Sequence, residues 1–560
     1  MYSYLLLLWL LIPQANAAST TNSVHDLPDP PRSAWMQADA GLQIPVTLEA
    51  KGRPLAVVLS ALSKNGGIDI DATRDIREYR VAIYANEQPL WKLMARLQDL
   101  FGHGKLPNKG YEWTRIAEGK KQPRYLLQRN ALGRAEEAAQ LDYPRTTALR
   151  WLKNIRDYVR LDPKDRNKFV TDCPPLNYCA ARSLPFANET DRLSTQILGS
   201  LPDAQLEALM RKGEVEVPQY TLTDTSIDWL RQQVPHGSGV LPGTDETIPP
   251  SNAHLRINES EGQDALQGIY EVALSFKTGF PNYHPEGYAI DTLETLVIPE
   301  EQDSIKPDQG PGVKIDLMAH ETVPTGKSPT MSLPVALSLL AREAKITIYA
   351  ETFLKSRHTL RITQGKPEYL LSRICGEFGY RWYKVGGDYV VYDKMWAQDR
   401  ESDISQPLLN RWTLALQKKK GVFDPSDFID MARNLSDKQI TKATLLFARG
   451  GLQVAANLAS LRLMSTLSNS DLEASFATGG IFLTQLDEVQ TRLVQQILKK
   501  NEFALPIRIG SERNLIPGLQ ITGLPAEAFD ITVRDKSGAE GGGRIFLGQK
   551  TNEPILIEPR

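Results

Sequence analysis

The sequence predicts an α+β protein in which one structural unit occurs twice. Residues 54–72, which read PLAVVLSALSKNGGIDIDA, return as residues 332–350, which read SLPVALSLLAREAKITIYA. In both segments apolar residues at helical spacing precede an alternating apolar pattern, which indicates a helix and then a half-buried strand. Because similar segments separated by a long interval are typical of repeated units, we expect an internal tandem duplication.

The similarity between the two copies extends downstream of these segments. Pro89 matches Pro367, and after a short insertion in the first copy the residues YEWTRI at 111–116 match YRWYKV at 380–385. Weaker matches follow further along the chain. We therefore expect each copy to consist of a small module, a helical stretch and a β-rich segment.

The first copy shows the order of elements expected in the module. A short strand at 46–48 precedes a helix that starts at Leu55 and stops at Gly66 and Gly67, where glycine favours a helix C-cap. Two strands, a second helix starting at Pro89 and two closing strands follow. The predicted order is β-α-β-β-α-β-β, with two helices covering one face of a small mixed sheet.

Changes in composition and pattern divide the chain. Stretches rich in Pro, Gly and acidic residues separate the segments with regular apolar spacing, and such stretches are typical of linkers. The predicted divisions are a signal peptide at 1–17, a flexible lead-in at 18–40, the first module at 41–132, a helical region at 133–212, a β-rich region at 213–280, a linker at 281–312, the second module at 313–399, a helical region at 400–479 and a β-rich region at 480–560.

The first residues have the layout of a secretory signal peptide. Residues 5–12 form an unbroken apolar run, and Ala15-Asn16-Ala17 is an A-x-A cleavage site. The run is too short to cross a bilayer, and no other stretch approaches the length that a spanning helix needs. We therefore expect cleavage after Ala17, a periplasmic or secreted mature chain, and no transmembrane span in it. The alternative is a buried N-terminal strand or helix.

The module resembles the short N-terminal domain shared by secretins and TonB-dependent receptors. The resemblance rests on the helix-strand segments quoted above, on the second helix that begins at Pro89 or Pro367, and on a closing strand with a Tyr-x-Trp pattern. It implies a periplasmic module that docks partner proteins or transfers signals. Because no ladder of amphipathic strands of about ten residues follows, the resemblance does not extend to a membrane barrel or to transport.

Composition and motifs argue against several classes of function. A formal net charge of -2 gives no reason to expect a nucleic-acid partner. Three cysteines and seven scattered histidines are too few for a cysteine-built or histidine-rich metal site. The positions that the two copies share are mostly apolar, which is typical of a duplicated scaffold. The sequence therefore predicts no catalytic, cofactor-binding or metal-binding residues.

Aromatic pairs on the closing strands are the candidate docking residues. Tyr111 and Trp113 lie two residues apart on one strand face, and so do Tyr380 and Trp382. These four side chains either pack in the core against the helices or form a docking surface beside an exposed sheet edge. An exposed edge itself predicts binding by strand addition.

The three cysteines are assigned to two different roles. Cys173 and Cys179 are predicted to form a disulfide, because Pro174 and Pro175 favour a turn between them and export places them in an oxidising compartment. The alternative is a pair of free thiols. Cys375 lies on an apolar helical stripe, so we expect a buried free thiol there.

These patterns predict an exported, non-enzymatic docking protein of the cell envelope. Its partner is expected to be another protein or an envelope polymer. The alternative is an envelope hydrolase whose active site is assembled from residues too dispersed to form a sequence motif. A cleft with convergent titratable groups distinguishes the hydrolase from the docking protein.

Overall fold

The architecture is known from a computed structural model, and its helices and mixed sheets confirm the predicted α+β class. The structure describes residues 26–27, 34–103, 109–117, 123–161, 201–212, 214–216, 253–259, 269–276, 288–291, 313–314, 331–355, 358, 364–447, 458–520 and 525–549.

The first module has its elements in the predicted order. Its helix α2 begins directly after Pro54 and ends at Gly67, which adopts the left-handed conformation with φ of 63°. That conformation favours glycine, because a side chain would meet the backbone. The elements are β2 (Pro45–Pro54), α2 (Leu55–Gly66), β3 (Asp69–Ala72), β4 (Arg80–Pro89), α3 (Leu90–Leu100), β5 (Tyr111–Ile116) and β6 (Arg124–Arg129).

The strands of the first module form two sheets rather than the single sheet that the sequence predicts. β2 pairs with β4 in an antiparallel ladder, whereas β3, β6 and β5 form a separate three-stranded sheet in the order β3-β6-β5. The reason lies in α3, in which every residue except Lys92 is buried. A helix that is buried all round needs cover on more than one side, and one sheet cannot supply it.

The second module repeats this arrangement of elements. Its two-residue strands β11 and β13 pair antiparallel, β12 pairs parallel with β15, and β14 pairs antiparallel with β15. The elements are β11 (Val313–Lys314), α6 (Leu333–Ala344), β12 (Ile348–Glu351), β13 (Gln364–Gly365), α7 (Pro367–Phe378), β14 (Tyr380–Val385) and β15 (Asp388–Asp393).

The three-stranded sheets of the two modules also agree in register. In each sheet, an alanine of the first strand, an aliphatic residue of the central strand and a tryptophan of the third strand lie in one row. The rows are Ala72, Leu127 and Trp113 in the first module, and Ala350, Val391 and Trp382 in the second.

Strands from both modules join in one six-stranded sheet. Its order is β1-β14-β15-β12-β4-β2, in which β1 is the short strand Asp26–Leu27. The sheet passes from one module to the other through the antiparallel pairing of β12 with β4. The sheet is therefore continuous from the second module into the two-stranded ladder of the first.

Part of the predicted flexible lead-in is folded. Helix α1 (Ala34–Ala38) contacts α3, and its Met36 is buried. A turn of 3-10 helix at Ala40–Leu42 follows, and Asp39 accepts a hydrogen bond of 2.6 Å from the hydroxyl of Tyr125. Residues 26–27 and 34–40 of the predicted lead-in therefore belong to the fold.

In the chain between the two modules, the described residues form α4 (Ala131–Arg160), α5 (Asp203–Lys212) and a four-stranded sheet. The order of that sheet is β10-β9-β8-β7. The last of its strands along the chain, β10, falls within the segment that was predicted to be a linker. There its backbone pairs with β9. The strands are β7 (Glu214–Glu216), β8 (Ala253–Glu259), β9 (Ile269–Phe276) and β10 (Tyr288–Asp291).

Residues after the second module build a separate core of helices on a four-stranded sheet. Trp412, Phe428 and Phe529 are among the fully buried side chains of that core. One helix, α14, falls within the segment predicted to be β-rich. Helix α8 (Trp396–Ser402) packs through Trp396 and Ala397 on the core of the second module. The elements that follow it are α9 (Gln406–Lys418), α10 (Pro425–Asn434), α11 (Asp437–Phe447), α12 (Leu458–Thr466), α13 (Asn469–Thr478), β16 (Ile481–Leu483), α14 (Glu488–Leu498), β17 (Ile507–Gln520), β18 (Pro525–Arg534) and β19 (Glu540–Gln549).

In the described part of the chain, no helix is both long enough and apolar enough to cross a bilayer.

Candidate docking site

The four aromatic side chains predicted to form a docking surface belong to the core. Tyr111, Tyr380 and Trp382 are each 2% exposed, and Trp113 is 6% exposed. Side chains that are covered to this degree cannot offer contact area to a partner. The docking-surface hypothesis is therefore corrected in favour of its alternative, packing against the helices.

Hydrogen bonds explain why these polar aromatics are buried at low cost. The indole N–H of Trp113 donates to the carbonyl oxygen of Met94 at 2.8 Å. The indole N–H of Trp382 donates to the hydroxyl of Ser372 at 2.9 Å. Ser372 is the residue of the second module that aligns with Met94. Buried indoles with satisfied N–H groups are stable core residues.

The predicted disulfide between Cys173 and Cys179 lies outside the described residues and stays a prediction. Cys375 is a free thiol that is 1% exposed, as its apolar stripe predicts. Burial raises the pKa of the Cys375 thiol well above its usual range, so this thiol is chemically inert.

Sheet edges are the second feature that the sequence assigns to docking, and the second module has both edges of its three-stranded sheet filled. The edge of β12 pairs with β4 of the first module. The edge of β14 pairs with β1, where Asp26 lies opposite Lys384 and Leu27 lies opposite Val385. Both added strands come from outside the module.

The outer edge of β2 has the features that prevent strand addition. Two irregularities interrupt its pairing with β4, between Val46 and Leu48 and between Ala50 and Arg53. Prolines stand at both of its ends, and exposed Lys51 lies within the second irregularity. Bulges, prolines and lysines are the usual protection of an edge strand, so β2 is a closed edge.

The outer edge of β3 is closed by a side chain of α2. The hydroxyl of Ser63 accepts a hydrogen bond from the backbone N–H of Ile70 and donates one to its carbonyl oxygen, both at 3.0 Å. The residue aligned with Ser63 in the second module is Ala341, which has no hydroxyl. There the equivalent edge pairs with β4 instead.

The outer edge of β5 is open in the described part of the chain, since no described strand pairs with it. The backbone N–H of Asn130 donates to the carbonyl of Gly110 at 3.1 Å, so Gly110 faces β6. Because the direction alternates along an antiparallel strand, the backbone groups of Trp113 and Arg115 face outward. The side-chain amide of Gln98 donates a hydrogen bond of 2.7 Å to the first outward carbonyl, that of Tyr111.

Buried charges at the junction of the two modules form a closed network. Arg400 of α8 lies 2.7 Å from the carboxylate of Glu351, and His103 lies 2.7 Å from the other oxygen of that carboxylate. The ring of His103 stacks on Trp396 at 3.8 Å between centroids. Burial alone would raise the pKa of Glu351, but Arg400 and His103 hold this pKa below its usual range.

A second charge cluster connects α3 to β15. Arg96 is fully buried and lies 2.9 Å from Asp388, which also receives a hydrogen bond of 3.1 Å from Lys92. Burial raises the pKa of Asp388 despite the two nearby cations. These groups are paired with one another across the modules, and this arrangement is that of a structural contact.

A cavity of about 750 Å³ lies in the last region. Its lining includes the carboxylates of Asp424 and Asp530, which form ion pairs with Lys419 and Arg544 at 2.6 Å. The residues that line this cavity include serines, a threonine, carboxylates and arginines, but no histidine, cysteine or lysine. The described residues also contain no cluster of metal-ligating side chains.

Comparison with known proteins gives no relative: no family model, curated protein or solved structure matches this chain.

Proposed function

We propose that this chain is an exported, non-enzymatic protein of the cell envelope that binds a partner protein by strand addition. One observation carries the proposal: the three-stranded sheet of the second module has β1 on one edge and β4 on the other. A sheet that takes strands from outside its own module at both edges is suited to strand addition. The partner is a protein, because only a polypeptide supplies the required backbone groups.

The proposal includes a duplication of the module. It is supported by the aligned helix-strand segments, by the identical pairing order of the three-stranded sheets and by their common register. Pairing order is independent of the sequence match, so the two kinds of observation support each other. A duplicated module allows one copy to form an internal contact while the other copy binds a partner.

An envelope location is supported by the apolar run at residues 5–12 and by the A-x-A site that follows. The resemblance of the module to the short N-terminal domain of secretins and TonB-dependent receptors points to the same compartment. In that family the domain docks partner proteins, which agrees with the proposed role.

A non-enzymatic role is favoured over the hydrolase alternative by the state of the titratable groups. The junction carboxylates Glu351 and Asp388 are held by buried cations, and neither of them lines the cavity of about 180 Å³ beside His103. Of the carboxylates that line the cavity of the last region, Asp424 and Asp530 are also in ion pairs. A hydrolase needs a general acid or base that can reach a substrate.

Cross-linking in cells tests this proposal. A chain with a C-terminal affinity tag is treated with formaldehyde in its native cells, and its N-terminus is sequenced after purification. We expect Ala18 as the first residue and one discrete adduct with another protein. The matched control replaces Leu7 and Leu8 by Arg, which blocks export and must abolish the adduct. Recovery of Met1 in the envelope fraction, or a chain that forms no adduct, would overturn the proposal.

A further inference from the structure

We propose that the outer edge of β5 binds an extended segment of the partner protein. The segment runs parallel to β5, with a carboxylate opposite Arg115 and an apolar side chain opposite Ile116. This inference rests on the proposed function. It adds which sheet edge binds the partner, the direction in which the bound segment runs and the residue types that the segment contains.

The second module contains the arrangement that the inference transfers. On β14, which is equivalent to β5, the strand β1 runs parallel and places Asp26 opposite Lys384 and Leu27 opposite Val385. Lys384 itself forms its ion pair with Glu368, at 4.0 Å, so it is the backbone register of β1 on β14 that carries over. In general, a carboxylate placed opposite a cation and an apolar residue placed opposite another favour such a ladder. An acidic residue followed by an apolar residue is thus the sequence seated on this kind of edge.

The residues of β5 match those of β14 at the same places. Arg115 stands two positions after Trp113, as Lys384 stands two positions after Trp382. An apolar residue follows the cation in both strands, and it is Ile116 in β5. A segment with the sequence pattern of β1 would therefore meet a cation and then an apolar residue on β5, in the same order as on β14.

The backbone directions agree as well. In β14 the N–H of Lys394 donates to the carbonyl of Gly379 at 3.3 Å, so Gly379 faces β15. By alternation the backbone groups of Lys384 face outward, towards β1. The same alternation turns the backbone groups of Arg115 outward, and there no described strand meets them.

Charge at the edge favours an acidic partner. The side chain of Arg115 is 50% exposed and forms an ion pair with Asp39 at 3.3 Å. A guanidinium has five donor N–H groups, so one carboxylate leaves donors for a second. The other edges of the first module are closed, by Ser63 at β3 and by the irregularities at β2.

A labelled peptide tests the inference on the full mature chain. The probe is a synthetic peptide with the sequence of residues 22–28, NSVHDLP, which includes the residues of β1. Its binding is measured by fluorescence anisotropy for wild type, Arg115→Pro and Arg115→Ala. Both variants lose the ion pair with Asp39, but only proline removes the outward N–H, and it leaves the ladder with β6 intact.

We expect Arg115→Pro to bind the peptide about tenfold more weakly than Arg115→Ala, which corresponds to about 1.4 kcal/mol. Thermal unfolding must show the two variants equally folded. Methylation of successive peptide amides gives a second test that leaves the protein unchanged, because only alternate amides of an added strand face the edge. One methylated peptide should therefore lose binding while the next retains it.

Several results would overturn the inference. Lack of peptide binding to wild type is one of them, and equal binding by the proline and alanine variants is another. A third is a loss of peptide binding in Lys384→Pro but not in Arg115→Pro, which would mean that the peptide replaces β1 on β14. A dimer that dissociates in Arg115→Pro would assign the edge to a second copy of the chain. If the Arg115→Pro variant still forms the cross-linked adduct in cells, the proposed function stands, but the outer edge of β5 is not the partner-binding site.

Discussion

Ile348 of the second module lies directly opposite Tyr84 of the first module, in an antiparallel ladder that continues through Glu351 and Val81. The ladder makes one sheet from the strands of two modules. Buried charges flank it, with Glu351 held by Arg400 and Asp388 held by Arg96. The contact between the modules therefore depends on both backbone pairing and paired charges.

Replacement of Arg400 by Met should strongly destabilise the junction. Glu351 is fully buried, so removal of its cation leaves a buried charge without its main partner. Loss of one member of a buried pair costs about 3–5 kcal/mol. Denaturant unfolding of wild type and variant measures this loss.

The matched control is Arg492→Met, which breaks the exposed ion pair with Glu488. Exposed pairs contribute about 0–1 kcal/mol, so this variant should unfold like wild type. The double variant Arg400→Met with Glu351→Leu should recover part of the loss, because it removes the unpaired charge. Similar losses in Arg400→Met and Arg492→Met would refute the assignment of a buried pair.

Stability should fall in acid through the titration of Glu351. Its pKa is held below the ordinary value of 4.5 in the folded chain. A carboxyl with a lowered folded pKa stabilises the fold above its unfolded pKa, and this contribution is lost as the pH falls through the folded pKa. Unfolding free energies measured from about pH 7 to pH 3 should therefore decline less in Glu351→Gln than in wild type. Parallel pH curves for the two proteins would contradict the lowered pKa.

Trp113→Ala and Trp382→Ala should each destabilise the fold rather than weaken docking. Both indoles are buried and donate hydrogen bonds within the core. Truncation of a buried Trp costs about 3–5 kcal/mol. Trp35 is 38% exposed, so Trp35→Ala is the control and should cost clearly less in thermal unfolding. An unchanged melting temperature in either core variant would contradict the assignment of that tryptophan to the core.

Ser63→Ala should open the edge of β3. The backbone N–H and carbonyl of Ile70 lose their hydroxyl partner, which costs about 1 kcal/mol and exposes a pairing edge. Light scattering should show increased self-association, and unfolding should show the lower stability. Ser60→Ala on the exposed side of the same helix is the control. If the two variants behave alike, Ser63 does not protect the edge.

Local patterns predicted the elements of the modules, because each depends on neighbouring residues. The apolar spacing after Pro54 and the glycine pair at Gly66 and Gly67 are sufficient to place α2 and its end. The Tyr-x-Trp pattern likewise placed β5 and β14 as strands. Their side chains proved to be core residues because the alternation assigns a common face but not which face is covered.

Long-range features could not be predicted, since they depend on which strands meet. Nothing in the sequence of β12 distinguishes pairing with β4 from an exposed edge. The buried charges were missed because residues such as Arg96 and Glu351 are ordinarily on the surface. The difference between the two modules at the aligned positions Ser63 and Ala341 is a usable signal. The hydroxyl of Ser63 closes the edge of β3, whereas the equivalent edge of β12 pairs with β4.

Hydrogen exchange of the cross-linked complex tests binding by strand addition most directly. Exchange is followed by mass spectrometry in fragments that cover β5 and, as the internal control, β3, for the free chain and the complex. The account predicts slower exchange at residues 111–116 in the complex, because an added strand bonds the outward N–H groups of Trp113 and Arg115. Residues 69–72 should exchange at the same rate in both, since Ser63 already holds Ile70. Unchanged exchange at 111–116 in a complex that is otherwise intact would contradict the account.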